Sequence, residues 1–100
     1  MEKLLKICEA LDNRHRLRII ALLAERRKYI SELARELGVS RPLLYLHLEK
    51  LENAGIIRGY SELNGEGRAR KYYELTDFKL HLNTQKIKEV VEGAKDDSDH

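Results

Sequence analysis

The sequence predicts one mainly α-helical domain with a small β-hairpin, in the order α-α-α-α-β-β-α. Apolar residues recur every three or four positions up to residue 54, at every second position from residue 57 to residue 75, and at helical intervals again afterwards. The chain has 100 residues, of which 42% are hydrophobic and 36% charged, and this size suits a single core. We place the domain at residues 1–95 and expect a frayed acidic tail at residues 96–100.

The composition argues against membrane-spanning, secreted and disulfide-bonded classes of protein. The longest apolar run, residues 19–24, is far shorter than the roughly 20 residues that cross a bilayer. The first residues carry neither the apolar stretch nor the cleavage site of a secretory signal. A lone cysteine, Cys8, excludes an internal disulfide and an all-thiolate zinc site within one chain. We therefore expect a cytoplasmic protein without a membrane partner.

The net charge of +2 hides an uneven distribution along the chain. Residues 89–100 contain five acidic residues and one basic residue, a balance of −4, which leaves residues 1–88 at +6. A basic body with an acidic end is compatible with a polyanionic partner such as nucleic acid.

Apolar spacing and one capping signal define the first two helices. Helical spacing over residues 2–11 predicts a first helix in which Cys8 is buried as a small apolar residue. Residues 12–13, Asp-Asn, are typical of a helix start because their short side chains accept from the free backbone N–H groups of the next turn. The second helix is apolar around most of its circumference, which indicates cover on most sides. Its stripe is predicted to contain Leu17, Ile20, Ala21 and Ala24, with Ile19, Leu22 and Leu23 widening it.

The third and fourth helices form a pair joined by a tight turn. The third helix covers residues 30–37 and ends at Gly38, because glycine readily adopts the left-handed conformation of a helix C-cap. The fourth begins near Pro42, which is tolerated in a first turn, with either Ser40 or Arg41 as its N-cap. Its buried stripe is Leu44, Leu48 and Leu51.

A hairpin and a last helix complete the predicted order. Residues 57–63 and 68–75 alternate with a period of two, and the Asn-Gly-Glu-Gly sequence of residues 64–67 joins them as a turn. A last helix is predicted to begin at residues 76–77. Two short helices with a glycine-containing turn, followed by a hairpin, describe a winged helix-turn-helix. In that fold the recognition helix, residues 41–54, enters the DNA major groove, and the wing, residues 57–75, reaches the backbone or the minor groove.

Four segments of the chain also resemble the ArsR-type winged-helix transcription regulators, particularly the small archaeal members. These segments are residues 11–20, 30–40, 44–57 and 67–76, so the similarity spans roughly residues 10 to 78. The resemblance implies a sequence-specific regulator that binds double-stranded DNA as a homodimer.

The resemblance also raises the question of a metal site. Metal sensors of the family carry thiolates in the third helix, where this chain has Tyr29 and Ser31. A second family site uses acids and histidines on the last helix. Asp77 and His81 could share a face there, but two ligands would form only half of a metal site. We therefore expect no metal and no cofactor, and a small-molecule or metal effector is the less favoured alternative.

The outer face of the fourth helix is the predicted base-reading surface. With its leucine stripe inward, positions 41, 42, 45, 46 and 49 point away from the core. Arg41 can bridge O6 and N7 of guanine. Leu46 either contacts thymine methyl groups or meets a protein. On the wing, Arg68, Arg70 and Lys71 follow a glycine-rich tip, with Arg58 on the partner strand, and these cations would attract phosphate. The predicted DNA-binding residues are Ser40, Arg41, Pro42, Tyr45, Leu46, Lys50, Arg58, Arg68, Arg70 and Lys71.

The other notable polar residues are a histidine of the fourth helix and the cations at the two ends of the second helix. His47 is interpreted as a packing histidine beside the core stripe. Arg14, Arg16 and Arg18 open the second helix, where positive charge opposes the helix dipole, so they require DNA phosphate or acids such as Glu9 and Asp12 as partners. Residues 26–28, Arg-Arg-Lys, are interpreted as cations at the favourable C-terminal end of that helix.

The first and last helices carry more apolar residues than one small core should absorb. The predicted dimer interface consists of Leu4, Ile7, Phe78, Leu82, Ile87, Val90 and Val91, with packing inside their own domain as the alternative for each. No catalytic motif appears in the sequence, so we expect no enzyme activity. The alternative function is a winged-helix module that binds protein instead of DNA, which the apolar Leu43 and Leu46 and the acidic Glu49 would allow.

Overall fold

The computed structural model describes residues 1–98, with side chains as far as residue 94. This part of the chain contains five helices and a three-stranded antiparallel sheet. In chain order the elements are α1 (Glu2–Leu11), α2 (Arg14–Glu25), β1 (Lys28–Tyr29), α3 (Ile30–Leu37), α4 (Arg41–Asn53), β2 (Ile57–Leu63), β3 (Ala69–Leu75) and α5 (Thr84–Ser98). Residues 96–98 of the expected tail lie in α5, and residues 99–100 lie outside the described residues.

The core lies where α2, α3 and α4 meet the sheet. Its fully buried side chains are Ile19, Leu33, Leu44, Leu48, Leu51 and Ile56, and Tyr73 of β3 joins them at 2% exposure. The three leucines of α4 are the predicted stripe, which is therefore confirmed. Burying one such side chain contributes about 1.5–3 kcal/mol, so this stripe fixes how α4 is rotated against the body.

Local caps hold the two central helices at the predicted positions. Gly38 ends α3 with a φ of 72°, and its N–H donates to the carbonyl of Ala34 over 2.9 Å. Ser40 is the N-cap of α4, since its hydroxyl accepts from the N–H of Leu43 over 3.4 Å. The alternative between Ser40 and Arg41 is thereby resolved in favour of Ser40.

The sheet has one strand more than predicted. β3 is central, with β1 and β2 on either side, in the order β1-β3-β2. Tyr72 of β3 stands opposite Tyr29 of β1 and Tyr60 of β2. β1 is only two residues long, so it shows no alternation that a sequence pattern could reveal.

The faces of α1 and α2 that are buried differ in part from the predicted ones. Ile7 and Ala10 are the buried residues of α1, whereas Cys8 is exposed. In α2, Ile19 and Leu23 are buried and Ile20 packs against the core, as predicted, whereas Leu17 is 50% exposed, Ala21 and Ala24 are exposed, and Arg16 is buried instead. A helix that is apolar on most sides has no unique inward face, so its packing against α1, α3, α4 and β3 decides the rotation.

The last helix begins at Thr84, and the prediction of a start at residues 76–77 was wrong. Thr76 instead directly follows β3, with its hydroxyl donating to the carbonyls of Gly55 at 2.7 Å and Ile56 at 3.0 Å. Phe78 and Leu80 then alternate with exposed residues and pack against the core, so their spacing of two belongs to an extended segment. Asn83 caps α5 by accepting from the N–H of Lys86 over 2.8 Å.

Candidate nucleic-acid interface

One face of α4 is held outward because the other face is fixed in the core. α4 packs against α1, α2, α3 and β2. Tyr45 is 46% exposed and Leu46 is 61% exposed. Ser40, Arg41, Pro42 and Glu49 are exposed as well. All five positions predicted to point away from the core therefore lie at the surface.

The wing presents its arginines at the far end of the hairpin. The Asn64 side chain accepts from the N–H groups of Glu66 and Arg68, each over 2.9 Å, and this holds the turn closed. Gly67 adopts a φ of 79°, which the turn requires and which glycine tolerates best. Arg68 and Arg70 follow as exposed residues, and Lys71 is half-buried.

Four of the predicted DNA-binding cations carry charge that no carboxylate neutralises. Among residues whose side chains the structure describes, no carboxylate lies within 4 Å of Arg41, Arg68, Arg70 or Lys71. Arg70 stacks on Tyr29, with its Cζ 4.5 Å from the ring centroid. The Nζ of Lys71 lies 5.8 Å from the ring of Tyr73.

Arg58 and Lys50 differ from these four because each has an acidic partner. Arg58 stands opposite Glu74 in the sheet register, and its Nε and Nη2 donate to Oε2 of Glu74 over 2.9 Å and 2.6 Å. Lys50 donates to Oε1 of Glu9 over 3.0 Å. The Lys50 contact lowers the pKa of Glu9, and hydrogen bonds first from Tyr60 and then from Arg58 lower that of Glu74. Phosphate would have to compete with a carboxylate at both positions.

Arg26 is the C-cap of α2, but Arg27 and Lys28 lie beyond that helix, so the interpretation of residues 26–28 as its C-terminal end holds only for Arg26. Arg26 donates to Oε1 of Glu32 over 3.3 Å. Lys28, only 3% exposed, lies 3.1 Å from Glu36. Arg27 binds Glu62 of the wing. Each cation thus has a carboxylate partner in α3 or in the wing, which helical spacing could not indicate, and Lys28 also lies 3.4 Å from Glu25, three positions before it.

Arg16 also has a partner that the sequence did not indicate. Its Nε donates to the carbonyl of Ala10 over 2.7 Å, and its Nη2 donates to that of Glu9 over 3.2 Å. Both carbonyls belong to the last turn of α1, where a cation also suits the helix dipole. The expected partner of Arg16, a phosphate or an acidic side chain, is therefore replaced by a helix end.

His47 packs beside the core stripe, as interpreted from the sequence, and is 7% exposed. Its Nδ1 lies 3.1 Å from Nη1 of Arg16, and its ring centroid lies 5.5 Å from that of His15. Its Nε2 is buried and has no hydrogen-bond partner among the described residues. Burial, and then the charges of Arg16 and His15, lower the pKa of His47.

The residues predicted for a dimer interface differ in how far they are exposed. Ile7 is 8% exposed in the core, and Phe78 packs against the same core, so both belong mainly to their own domain. Leu4 and Val90 are half-buried. Leu82, Ile87 and Val91 are 48%, 46% and 42% exposed. The most exposed of the predicted interface residues therefore lie on α5 and in the segment before it.

Asp77 and His81, which could share a face if the last helix began at residue 76, do not form a half-site for a metal. Residues 76–83 are not helical, so Asp77 and His81 do not share a helical face, and Tyr29 packs against Arg70. Within the described part of the chain, no three His, Cys, Asp or Glu side chains are grouped to hold a metal ion. None of the helices in that part has the length and apolar character needed to span a membrane.

Comparison with known proteins supports the assignment of the fold. A family profile for bacterial regulatory proteins of the ArsR family matches residues 13–58, which include α2, α3 and α4. An HTH-type transcriptional regulator of Methanocaldococcus jannaschii is 40% identical over 88 residues, covering 88% of this chain and 92% of its own length.

Two solved structures are similar to this chain at low sequence identity. HlyU from Vibrio cholerae has a TM-score of 0.65 at 25% identity, covering 76% of this chain and 77% of its own. A homodimeric winged helix-turn-helix DNA-binding domain from Mycobacterium bovis has a TM-score of 0.65 at 26% identity, covering 74% of this chain and 64% of its own. With its winged helix-turn-helix fold, this chain belongs to the ArsR family of transcriptional regulators and is not an enzyme.

Proposed function

We propose that this regulator binds a specific double-stranded DNA sequence as a homodimer in the cytoplasm. α4 enters the major groove, and the wing formed by β2 and β3 contacts the backbone or the adjacent minor groove. The observation that carries the proposal is the unneutralised charge of Arg41 on α4 and of Arg68, Arg70 and Lys71 on the wing. The proposed domain is residues 1–95.

Ser40 and the exposed residues Arg41, Pro42, Tyr45 and Leu46 of α4 each have a role in this proposal. Arg41 bonds guanine, and Tyr45 donates to a phosphate or packs on a sugar. Leu46 contacts a thymine methyl group. Ser40 and Pro42 lie at the helix start, where backbone N–H groups and the helix dipole favour phosphate.

The remaining cations are secondary contacts in the proposal. Arg58 and Lys50 bind phosphate only by exchanging Glu74 and Glu9 for it. Their individual contributions should therefore be smaller than those of Arg68 and Arg70, because each exchange leaves a carboxylate without its partner.

Pairing of two copies supplies two recognition helices, since one helix alone makes few base contacts. The exposed apolar side chains of Leu82, Ile87 and Val91 support a partner on α5. The homodimeric state of the similar domain from Mycobacterium bovis supports the same conclusion. The proposed interface is a second copy of this chain packed on Leu4, Leu82, Ile87, Val90 and Val91.

Salt dependence of binding tests the proposal. DNA fragments selected from a random pool are sequenced, and affinity for the selected duplex is measured over a range of salt concentrations. Log affinity should fall with log salt with a slope of about 0.9 per phosphate neutralised. Arg68→Ala and Arg70→Ala should each flatten that slope by about one unit per subunit. Lys88→Ala, which removes an exposed charge from α5, is the control and should leave the slope unchanged.

The alternative function is binding of a protein by the same face. Leu43 and Leu46 favour it, at 40% and 61% exposure on α4. Selection of no DNA sequence, or binding that ignores both salt and the two wing substitutions, would support this alternative and contradict the proposal.

A further inference from the structure

The outer face of the wing carries two cross-strand pairs of opposite charge, of which one forms a salt bridge and the other does not. The sheet register places Arg58 opposite Glu74 and Arg70 opposite Glu62. Directly opposed residues have Cβ atoms about 4.5–5.5 Å apart, so both pairs are close enough to bond. Arg58 does bond to Glu74, but Arg70 does not bond to Glu62.

Glu62 is occupied by an arginine from outside the wing. Arg27, in the connection between α2 and α3, places Nη1 and Nη2 on the two carboxylate oxygens of Glu62. Nη1 also donates to the hydroxyl of Tyr60 over 2.9 Å, and Cζ lies 4.1 Å above the ring of Tyr72. Hydrogen bonding by Arg27 is the main reason that the pKa of Glu62 is lowered. One guanidinium thus engages three wing side chains.

Among the residues whose side chains the structure describes, the partner of Arg70 is an aromatic ring and not a carboxylate. It is exposed and stacks on Tyr29, with its Cζ 4.5 Å from the ring centroid. A cation–π contact at an exposed site is weak, so turning Arg70 from Tyr29 toward a phosphate loses little. A carboxylate in place of Tyr29 would hold the guanidinium more firmly and would neutralise its charge.

We propose that Arg27 is a positioning residue for DNA binding, which occupies Glu62 and so leaves Arg70 available for phosphate. The inference rests on the proposed DNA-binding function. Without Arg27, Glu62 would bond to the arginine opposite it, as Glu74 bonds to Arg58. The wing would then lose one phosphate contact per subunit although its own sequence is unchanged.

A double-mutant cycle on the selected duplex tests this role, with Arg27→Ala, Glu62→Gln and the combined variant. Arg27→Ala should weaken binding by on the order of tenfold and flatten the salt slope by about one unit per subunit. Glu62→Gln should change the wild type by less than about twofold, because that carboxylate is already occupied. In the Arg27→Ala background it should restore most of the affinity and the full slope.

The double-mutant cycle distinguishes this positioning role from a direct contact between Arg27 and DNA. A direct contact predicts additive effects, because Glu62→Gln cannot replace a missing phosphate contact. Additive effects in a wild type that binds DNA would overturn this inference alone, whereas failure of the wild type to select any DNA would overturn the proposed function and this inference with it.

Three further variants complete the experiment. Arg26→Ala removes the same charge one residue away, where the partner is Glu32 of α3, and should leave the slope unchanged. In an Arg70→Ala background, Arg27→Ala should flatten the slope no further, and a second loss of about one unit would contradict the inference. Arg27→Gln repeats the test with a longer neutral side chain, and thermal unfolding confirms that each variant is folded.

Discussion

Arg16 of α2 and His47 of α4 form a buried pair, with 3.1 Å between Nη1 and Nδ1. A guanidinium can only donate, so Nδ1 must accept and the proton of the neutral ring is on Nε2. The same guanidinium bonds two carbonyls at the end of α1. One arginine therefore links the first helix to the helix that we propose for DNA recognition.

This pair should make stability depend on pH in the mildly acidic range. The pKa of His47 is lowered below 6.5 by burial, then by the charges of Arg16 on α2 and of neighbouring His15. As pH falls below about 6.5, the unfolded chain binds a proton at this residue before the folded chain does. The free energy of unfolding should therefore decrease as pH falls through that range and reach its full value above it. Urea unfolding at pH 7.5, 6.0 and 5.0 measures the trend.

Two histidine variants test whether His47 causes this pH dependence of the free energy of unfolding. His47→Gln keeps an acceptor for Arg16 and does not titrate, so its stability should be flat between pH 5 and 6.5. His81→Gln, at an exposed position, should keep the wild-type dependence. The carboxylates with lowered pKa values, Glu9, Glu32, Glu62 and Glu74, lose their contributions only below about pH 4.5. An unchanged dependence in His47→Gln would show that another group is responsible.

Local signals explain which parts of the fold the sequence could predict. Gly38, Ser40 and the leucine stripe of α4 act within a few residues of one another, so the central helix pair and its outward face were predictable. Two-residue β1 has no period, and Phe78 and Leu80 were assigned to a helix although their spacing is that of extended chain.

The electrostatics of the candidate site depend on contacts between distant residues. Arg27 and Glu62 are 35 positions apart, and Lys50 and Glu9 are 41 positions apart. Nothing in the sequence near either cation identifies its partner. Whether a predicted DNA-binding cation is neutralised could therefore be decided only from sheet register and helix packing.

Gly59 of β2 should not tolerate a side chain. A Cβ there would lie 2.7 Å from Cε1 of Tyr73 and 3.1 Å from its Cδ1. Tyr73 is 2% exposed in the core, so its ring cannot move aside freely. Gly59→Ala should lower the free energy of unfolding by about 1–3 kcal/mol, the usual cost of overpacking. Gly65→Ala, where no atom lies within 4 Å, is the control and should change it by less than about 0.5 kcal/mol in the same denaturant titration. Equal effects of the two variants would contradict this explanation.

Ile87 of α5 should be necessary for the proposed homodimer. It is 46% exposed, so Ile87→Asp should remove apolar contact with a partner without disturbing the fold of one copy. Sedimentation at tens of micromolar should show a dimer for the wild type and a shift toward monomer for this variant. Gln85→Asp introduces the same acid about 200° around the helix and should remain dimeric. A wild type that sediments as a monomer would contradict the proposed dimer.

Leu46 should contact thymine methyl groups in the selected duplex. It is 61% exposed on the outer face of α4, where an aliphatic side chain gains by covering another apolar group. Replacing dT by dU removes only the methyl group, so a contacted position should lose about fourfold in affinity, from about 0.8 kcal/mol for one buried methyl. Leu46→Ala should bind more weakly overall and respond less to the same replacement, whereas a dT outside the protected region should be replaceable without effect. Equal sensitivity of wild type and Leu46→Ala at every dT would show that this leucine does not contact the methyl groups and would favour a protein partner for it.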